Sequence, residues 1–262
     1  MIAIAVVAVI SVMLGEFHLS KSKIVRFLEL VYGFKVSTGT ISNTEARISN
    51  ALSDTYKNVA SSLQEEDFIH CDETRHRQNN QTHWAWVGTN KNLTVFMLEQ
   101  SRGKSSCKKL IGTNYSGVLI SDRYCAYNIV DIEQRQLCWA HLKRDFTRIS
   151  QRSGIAGRIG DELLACQNKL FKLWHSYKTS NISFATLGAA IEPVQKNLGL
   201  SLEKAVNCSH DKTANTCKNI LKSFSALWRF AETPGIEPTN NLAERKIRPY
   251  VIYRKLSFGK YP

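Results

Sequence analysis

Acidic residues are scarce in this chain: 22 Asp and Glu stand against 35 Lys and Arg, a formal charge of +13 over 262 residues. After Glu244 there are none at all, and the remaining stretch carries Arg245, Lys246, Arg248, Arg254, Lys255 and Lys260. Such a deficit points to a polyanionic partner. Nucleic acid is favoured over a membrane surface, because the cations interleave with aromatics and do not gather on one amphipathic helix. A second absence is a long hydrophobic run. Residues 1–15, MIAIAVVAVISVMLG, are apolar, but a spanning helix needs about twenty such residues, and the basic start of a secretory signal is missing. A buried helix is expected there. Because the chain begins abruptly in core-like sequence, Met1 is expected to lie inside a once longer protein.

A disulfide framework is missing too. The seven cysteines are odd in number and scattered, at 71, 107, 125, 138, 166, 208 and 217, a pattern that suits a reducing cytosol. Zinc is suggested by Cys138-x-x-His141 and by the adjacent His70 and Cys71, yet no second C-x-x-C or H-x₃-H accompanies them. A packed cysteine and a hydrogen-bonded histidine are the expectation. Internal repeats and low-complexity runs are also absent.

What is present reads in three parts. Residues 19–52 form helix, turn, helix: Ser20 caps the first, Ile24, Phe27, Leu28 and Val31 make its apolar stripe, and Gly33 ends it. The second helix starts near Thr40 and is expected to bury Ile41, Ile48 and Leu52. With Lys21, Lys23, Arg26 and Arg47 outside, the pair is either a DNA-reading module or a hairpin packed on the main domain. From residue 67 the period changes. FIHC, HWAWV and LTVFMLE read as successive strands, KSSCKKLIG as a short helix, GVLIS and RQLCW as further strands. The order β-β-β-α-β-α-β implies a mixed sheet. Beyond His141 the text is helical to about residue 230, and TPGIEPTNN is a connector into a last helix.

Two aspartates sit where strands disfavour them: Asp72 at the end of DFIHCDET and Asp122 at the end of GVLISDRY. Each alone is explained as a cap for the following turn. Together, in strands that can lie side by side, they repel unless a cation separates them, and hard divalent ions use carboxylate oxygens this way. Glu244 has a bland reading as well: Asn241 as helix cap, Glu244 three residues on as its capping-box partner, and Arg248 one turn later as an ion pair. Added to the two aspartates, however, it completes a set able to hold two ions about 4 Å apart for phosphodiester chemistry, with the following cations holding a DNA backbone.

HCDET with HWAWV, then GVLISDRYCAYN, RQLCWAHLKRDF and EPTNNLAERKIRPYVIYRKLSFG, resemble in order and spacing the insertion sequence 66 family of bacterial transposases. The resemblance runs from about residue 67 to the end, and more weakly over 18–55. It implies a ribonuclease H-like α/β fold with a mixed sheet: a helical segment over 1–62, then a catalytic domain over 63–262 with a helical insertion at about 150–232. It implies a DDE triad of Asp72, Asp122 and Glu244 binding two Mg²⁺ or Mn²⁺ ions, and DNA contacts from Arg245, Lys246, Arg248, Arg254 and Lys255. The partners implied are the element's terminal inverted repeats, target DNA, a second copy of the chain and element-encoded accessory proteins, in the bacterial cytoplasm and away from membrane. Family members are commonly longer at both ends, so a truncated chain is expected; an inactive DNA-binding remnant, a nuclease without strand transfer and, ranked last, a zinc-stabilised interaction module are the alternatives. Arg102, Lys104, Lys143 and Arg144 are expected at phosphates or in solvent, and Tyr124 and Tyr127 as packing residues with surface hydroxyls.

Overall fold

The computed structural model describes residues 4–78 and 80–256. Two compact units divide the chain, one of residues 4–62 with 252–256 and one of residues 63–251. The KLSFG motif runs out of the described residues at its third position.

The first unit is helical, with α1 (Ile4–Gly15), α2 (Lys21–Tyr32) and most of α3 (Thr38–Gln64). Ser20 caps α2 by accepting the Lys23 N–H, and Gly33 closes it at φ +70°, the left-handed turn that glycine adopts without Cβ strain. Ile10, Met13, Ile24, Leu28 and Ile41 form a small core. The N-terminal helix forms, but only Ile10 and Met13 on it are buried: apolar on all sides, it has just one neighbouring surface to use. Val31 and Leu52 are likewise exposed, at 57% and 54%. The α3 helix runs for 27 residues, and the small core ends before its Leu52 turn.

The second unit is built on five strands: β1 (Phe68–Gln78), β2 (Gln81–Thr89), β3 (Thr94–Glu99), β4 (Val118–Ser121) and β5 (Arg135–Leu137), in the spatial order β3-β2-β1-β4-β5. The first three form an antiparallel meander; β4 and β5 then add parallel to β1 and to each other. This mixed sheet with its helices is the ribonuclease H-like fold. Helix α4 (Lys104–Ile111) makes the first crossover. An α-helix was expected between β4 and β5, but the chain makes two short 3₁₀ turns, Cys125–Ile129 and Ile132–Gln134. Asp131 breaks the run by accepting the Glu133 N–H, the local bond that competes with helix continuation.

After β5 come α5 (Trp139–Ser150), α6 (Gly154–Lys178), α7 (Phe184–Val206) and α8 (Asp211–Leu221), then a 3₁₀ turn at Ser225–Leu227, α9 (Arg229–Glu232) and α10 (Asn241–Leu256). One continuous core joins sheet to helices: Ile120 and Leu137 from the strands meet Trp139, Phe146, Leu163, Leu198, Trp228 and Phe230. Several polar atoms inside it are paired, although the Trp228 indole N–H is buried without a partner among the described residues. The Trp139 indole N–H donates to the Leu227 carbonyl at 2.8 Å, and Gln136 bonds the Leu227 carbonyl and the Phe230 N–H. Helices α5 and α6 cross closely at Gly157 and Gly160, where a Cβ on Gly160 would collide with the backbone of Ile149 and Ser150. Gly160→Ala is therefore expected to cost about 1–3 kcal/mol, the range for overpacking a close contact, read as a lower urea midpoint with unchanged slope.

Candidate active site

The parallel pairing ends at one place, although β1 itself runs on to Gln78, so that Asp72 lies inside the strand and not at its end as expected. His70 of β1 is level with Ile120 of β4, and Ser121 of β4 with Leu137 of β5. Carried on, that register sets Asp122 opposite Asp72 on one side and opposite Cys138 on the other. The carboxyl ends of parallel strands are where open α/β sheets bind ligands. Asp72 and Asp122 are both half-buried.

Helix α10 brings Glu244 to the same side. Its Ala243 and Ile247 pack on Val87, and Val87 is the residue of β2 directly across from Asp72. The connector before α10 is pinned by Asn240, which is 1% exposed. Its side-chain amide donates to the Cys71 carbonyl at 2.6 Å, its backbone N–H to Cys138 Sγ at 3.1 Å, and its Oδ1 faces His70 Nδ1 at 3.2 Å. Burial pushes His70 down to about 4, so the neutral ring is the donor in that last bond. Helix α10 starts at Asn241, with Asn240 the residue before it. The cap was expected at Asn241; the chain instead spends Asn240 on fastening the helix start to β1 and to the head of α5.

The electrostatics show the acids acting on one another. Asp72 is raised from 3.8 to about 7, first by burial and next by Glu73, with Asp122 and Glu244 adding to the rise; the Glu73 N–H to Asp72 Oδ1 at 2.9 Å opposes it. Asp122 accepts the Tyr124 N–H at 2.8 Å. Among the described residues neither aspartate pairs with a Lys, Arg or His within 4.0 Å. The expected Arg248 ion pair to Glu244 is also not among the ion pairs of the described residues. The nearest basic group to Glu244 is His141, whose Nδ1 lies 3.8 Å from Oε1, and both atoms are sealed from solvent without a hydrogen-bond partner. His141 was expected to be hydrogen-bonded; its Nδ1 is not. Arg135 donates to the Asp122 carbonyl at 3.1 Å and acts on its carboxylate from further off, but in a chain of net charge +13 carboxylates without a direct ion pair to Lys or Arg suit divalent ions: an oxygen donor set with excess negative charge.

Glu73 was passed over by the sequence reading, although HCDET shows two acids side by side. It projects to the opposite face of β1. There the buried Tyr127 hydroxyl donates to it, and Arg102 pairs with it at 2.7 Å. The Arg102 guanidinium lies over the Tyr124 ring, 3.8 Å from its centroid, and 4.7 Å from that of Trp84. Arg102 is thus engaged within the fold, and the Tyr127 hydroxyl is interior. The contrast between neighbours is informative: Glu73 is compensated, Asp72 is not.

Of the five cations expected at DNA, Arg245, Lys246 and Arg248 are exposed on α10 in the second unit. Lys255 is exposed and Arg254 half-buried on the last turn of the same helix, which belongs to the first unit. Among the described residues no helix is long and apolar enough to cross a membrane.

Known proteins place this arrangement in a family. A curated relative, the uncharacterized protein y4qI of Sinorhizobium fredii (strain NBRC 101917 / NGR234), is 29% identical over 203 residues, covering 66% of this chain and 36% of the relative. The chain therefore matches only about a third of that protein's length. The profile of the Transposase IS66 family matches residues 1–259. With nearly the whole chain so matched, the protein belongs to the IS66 family of transposases.

Proposed function

We propose that this chain carries out DNA transposition as a DDE enzyme, with Asp72, Asp122 and Glu244 as the ligands of two divalent ions, Mg²⁺ or Mn²⁺. The observation that carries the reading is the approach of three carboxylates, none ion-paired to Lys or Arg among the described residues, from β1, the end of β4 and α10, in a strongly basic chain of this family. Ions bound there supply a Lewis acid and lower the pKa of water. The protein's own part is placement. Asp72 and Asp122 come from adjacent strands of one rigid sheet, and Glu244 is fixed by the Val87 contact and the Asn240 fastening. Exposed Arg245, Lys246 and Arg248 hold phosphates next to the acids, offsetting the repulsion a DNA backbone meets there; Arg254 and Lys255, in the first unit, are further backbone contacts of this reading.

The chemistry is two in-line displacements at phosphorus. Water oxygen bonds to the phosphorus at the element's end and the 3′-oxygen leaves with a proton. That 3′-hydroxyl then bonds to a target phosphorus, and the target's own 3′-oxygen leaves. No protein nucleophile takes part. The substrates are the terminal inverted repeats and target DNA in the bacterial cytoplasm, with two copies of the chain pairing the two ends and element-encoded proteins assisting.

The test is cleavage and joining of a labelled duplex bearing the element's own ends. Products are expected in Mg²⁺ or Mn²⁺ and none in EDTA or Ca²⁺, with binding falling steeply as salt rises. Cutting without joining would assign a nuclease, and retained DNA binding with no cutting in any ion would assign a binding remnant.

A further inference from the structure

Among the described residues, one set of three potential ligands has its donor atoms all within 4.8 Å of one another: Cys138 Sγ, His141 Nδ1 and a Glu244 carboxylate oxygen. Cys138 and His141 lie at the head of α5, Glu244 in the first turn of α10. The histidine nitrogen and the glutamate oxygen are buried, 3.8 Å apart and without hydrogen-bond partners. That separation is too long for a hydrogen bond, and leaving two such polar atoms buried and unpaired is costly. It is a few tenths of an ångström wider than two such donors on a single ion: metal bonds of about 2.0–2.2 Å put a nitrogen and an oxygen ligand of a tetrahedral centre roughly 3.3–3.5 Å apart, a gap that a small rotation of either side chain closes.

We propose that Cys138, His141 and Glu244 form a binding site for one zinc-type divalent ion, with a fourth position open to water. The donor set selects the ion: thiolate and imidazole favour zinc over magnesium, which takes oxygen. Three protein ligands with one open position is the pattern of accessible zinc centres, in contrast to closed structural ones. His141 and Glu244 are half-buried as residues, although the two facing donor atoms are themselves sealed from solvent. The sulfur has outer support: the Asn240 N–H donates to Cys138 Sγ at 3.1 Å, a contact of the kind that orients metal ligands. The missing second ligand pair, which argued against zinc in the sequence, is replaced by a carboxylate 103 residues after His141. The site shares Glu244 with the proposed triad but draws on none of its evidence. Since one carboxylate serves both, loading zinc here withdraws Glu244 from the hard-ion site, and zinc is expected to oppose Mg²⁺ or Mn²⁺.

Cobalt(II) titration of the metal-stripped full-length protein is the test, because a thiolate ligand gives a sulfur-to-cobalt charge-transfer band that oxygen sites lack. The wild type is expected to bind one Co²⁺ with that band and with intense tetrahedral visible absorption, both resisting a large excess of Mg²⁺ and erased by Zn²⁺. Cys138→Ser should lose the band. His141→Ala should weaken binding by more than about 100-fold, beyond the loss typical of an outer-sphere contact. Asp72→Asn should keep band and affinity. Melting curves of the stripped variants establish that each is folded; should Cys138→Ser fail to fold, the half-buried His141→Ala still decides. A wild type without the band, or a band indifferent to His141→Ala, overturns the site whatever the cleavage assay gives. A band in a protein that never cleaves DNA overturns the triad reading and leaves this site standing.

Discussion

Glu244→Gln is expected to abolish metal-dependent DNA cleavage while leaving the fold as stable as before. Loss of one metal-ligating carboxylate removes several kcal/mol of transition-state stabilisation, which is about 10³-fold or more in rate. The stability half follows from the contacts. Glu244 has no hydrogen bond through Oε1 and no ion pair with Arg248, and His141 is its nearest basic group at 3.8 Å. Gln keeps the shape and removes only a charge, one that burdens Asp72. A residue that merely capped α10 would behave in the opposite way, losing roughly 0.5–2 kcal/mol of stability with catalysis intact. Measured together, cleavage rate and urea midpoint separate the two roles: no cleavage with an unchanged midpoint supports the ligand, and full cleavage with a lowered midpoint makes Glu244 a cap. Mn²⁺ binding followed by electron paramagnetic resonance gives a readout independent of DNA, and should show weakened sites in the variant.

The sheet was legible because its strands announce themselves. HWAWV and LTVFMLE are rich in β-branched and aromatic residues, and the helix between LTVFMLE and GVLIS forces the change to parallel pairing. Asp122 was legible for a related reason, as a residue that strands disfavour just past the end of β4; Asp72 was singled out as a strand end, yet β1 continues to Gln78 because β2 goes on pairing with it. Distances in sequence hid the rest. Asn240 fastens α10 to Cys71, 169 positions away, and Trp139 bonds the carbonyl of Leu227, 88 positions away; neither partner leaves a local signature. His141 looked like a packed corner because its companion in space, Glu244, follows five helices later, on α10. Exposure at the surface was misread for similar reasons. Val31 and Leu52 continue an apolar period that their helices carry past the small core of the first unit, and periodicity alone does not say where the neighbouring helix ends. Arg102 shows a partner that sequence does not announce: expected at phosphate or in solvent, it neutralises Glu73 and stacks on Tyr124.

Asp72→Asn is expected to make the protein more stable at neutral and alkaline pH, although it removes a residue assigned to catalysis. Burial is the largest cause of the rise of Asp72 from 3.8 to about 7, with Glu73, Asp122 and Glu244 adding like charge. The sign follows from proton counting. Between about pH 4 and pH 7 the folded state holds a proton on Asp72 that the unfolded chain has released, so stability falls as pH rises through this window and levels off above it. Below pH 4 both states are protonated and the penalty is gone. The neutral amide never carries it. A shift of that size corresponds to at most about 4 kcal/mol; allowing for partial exposure of the side chain, the variant should gain roughly 1–3 kcal/mol at pH 8 and almost nothing at pH 3.5. Mg²⁺ or Mn²⁺ should reverse the order by stabilising the wild type at pH 8 and not the variant, since ligands that bind only the folded state add stability by mass action. Denaturant melts of both proteins at the two pH values, with and without the ion, decide the matter. A variant less stable than wild type at pH 8 would mean that Asp72 is already compensated in the fold, and would remove the electrostatic reason for placing a metal beside it. The expected outcome means that the sheet end is held under charge strain that only a cation relieves, stability given up where function needs it.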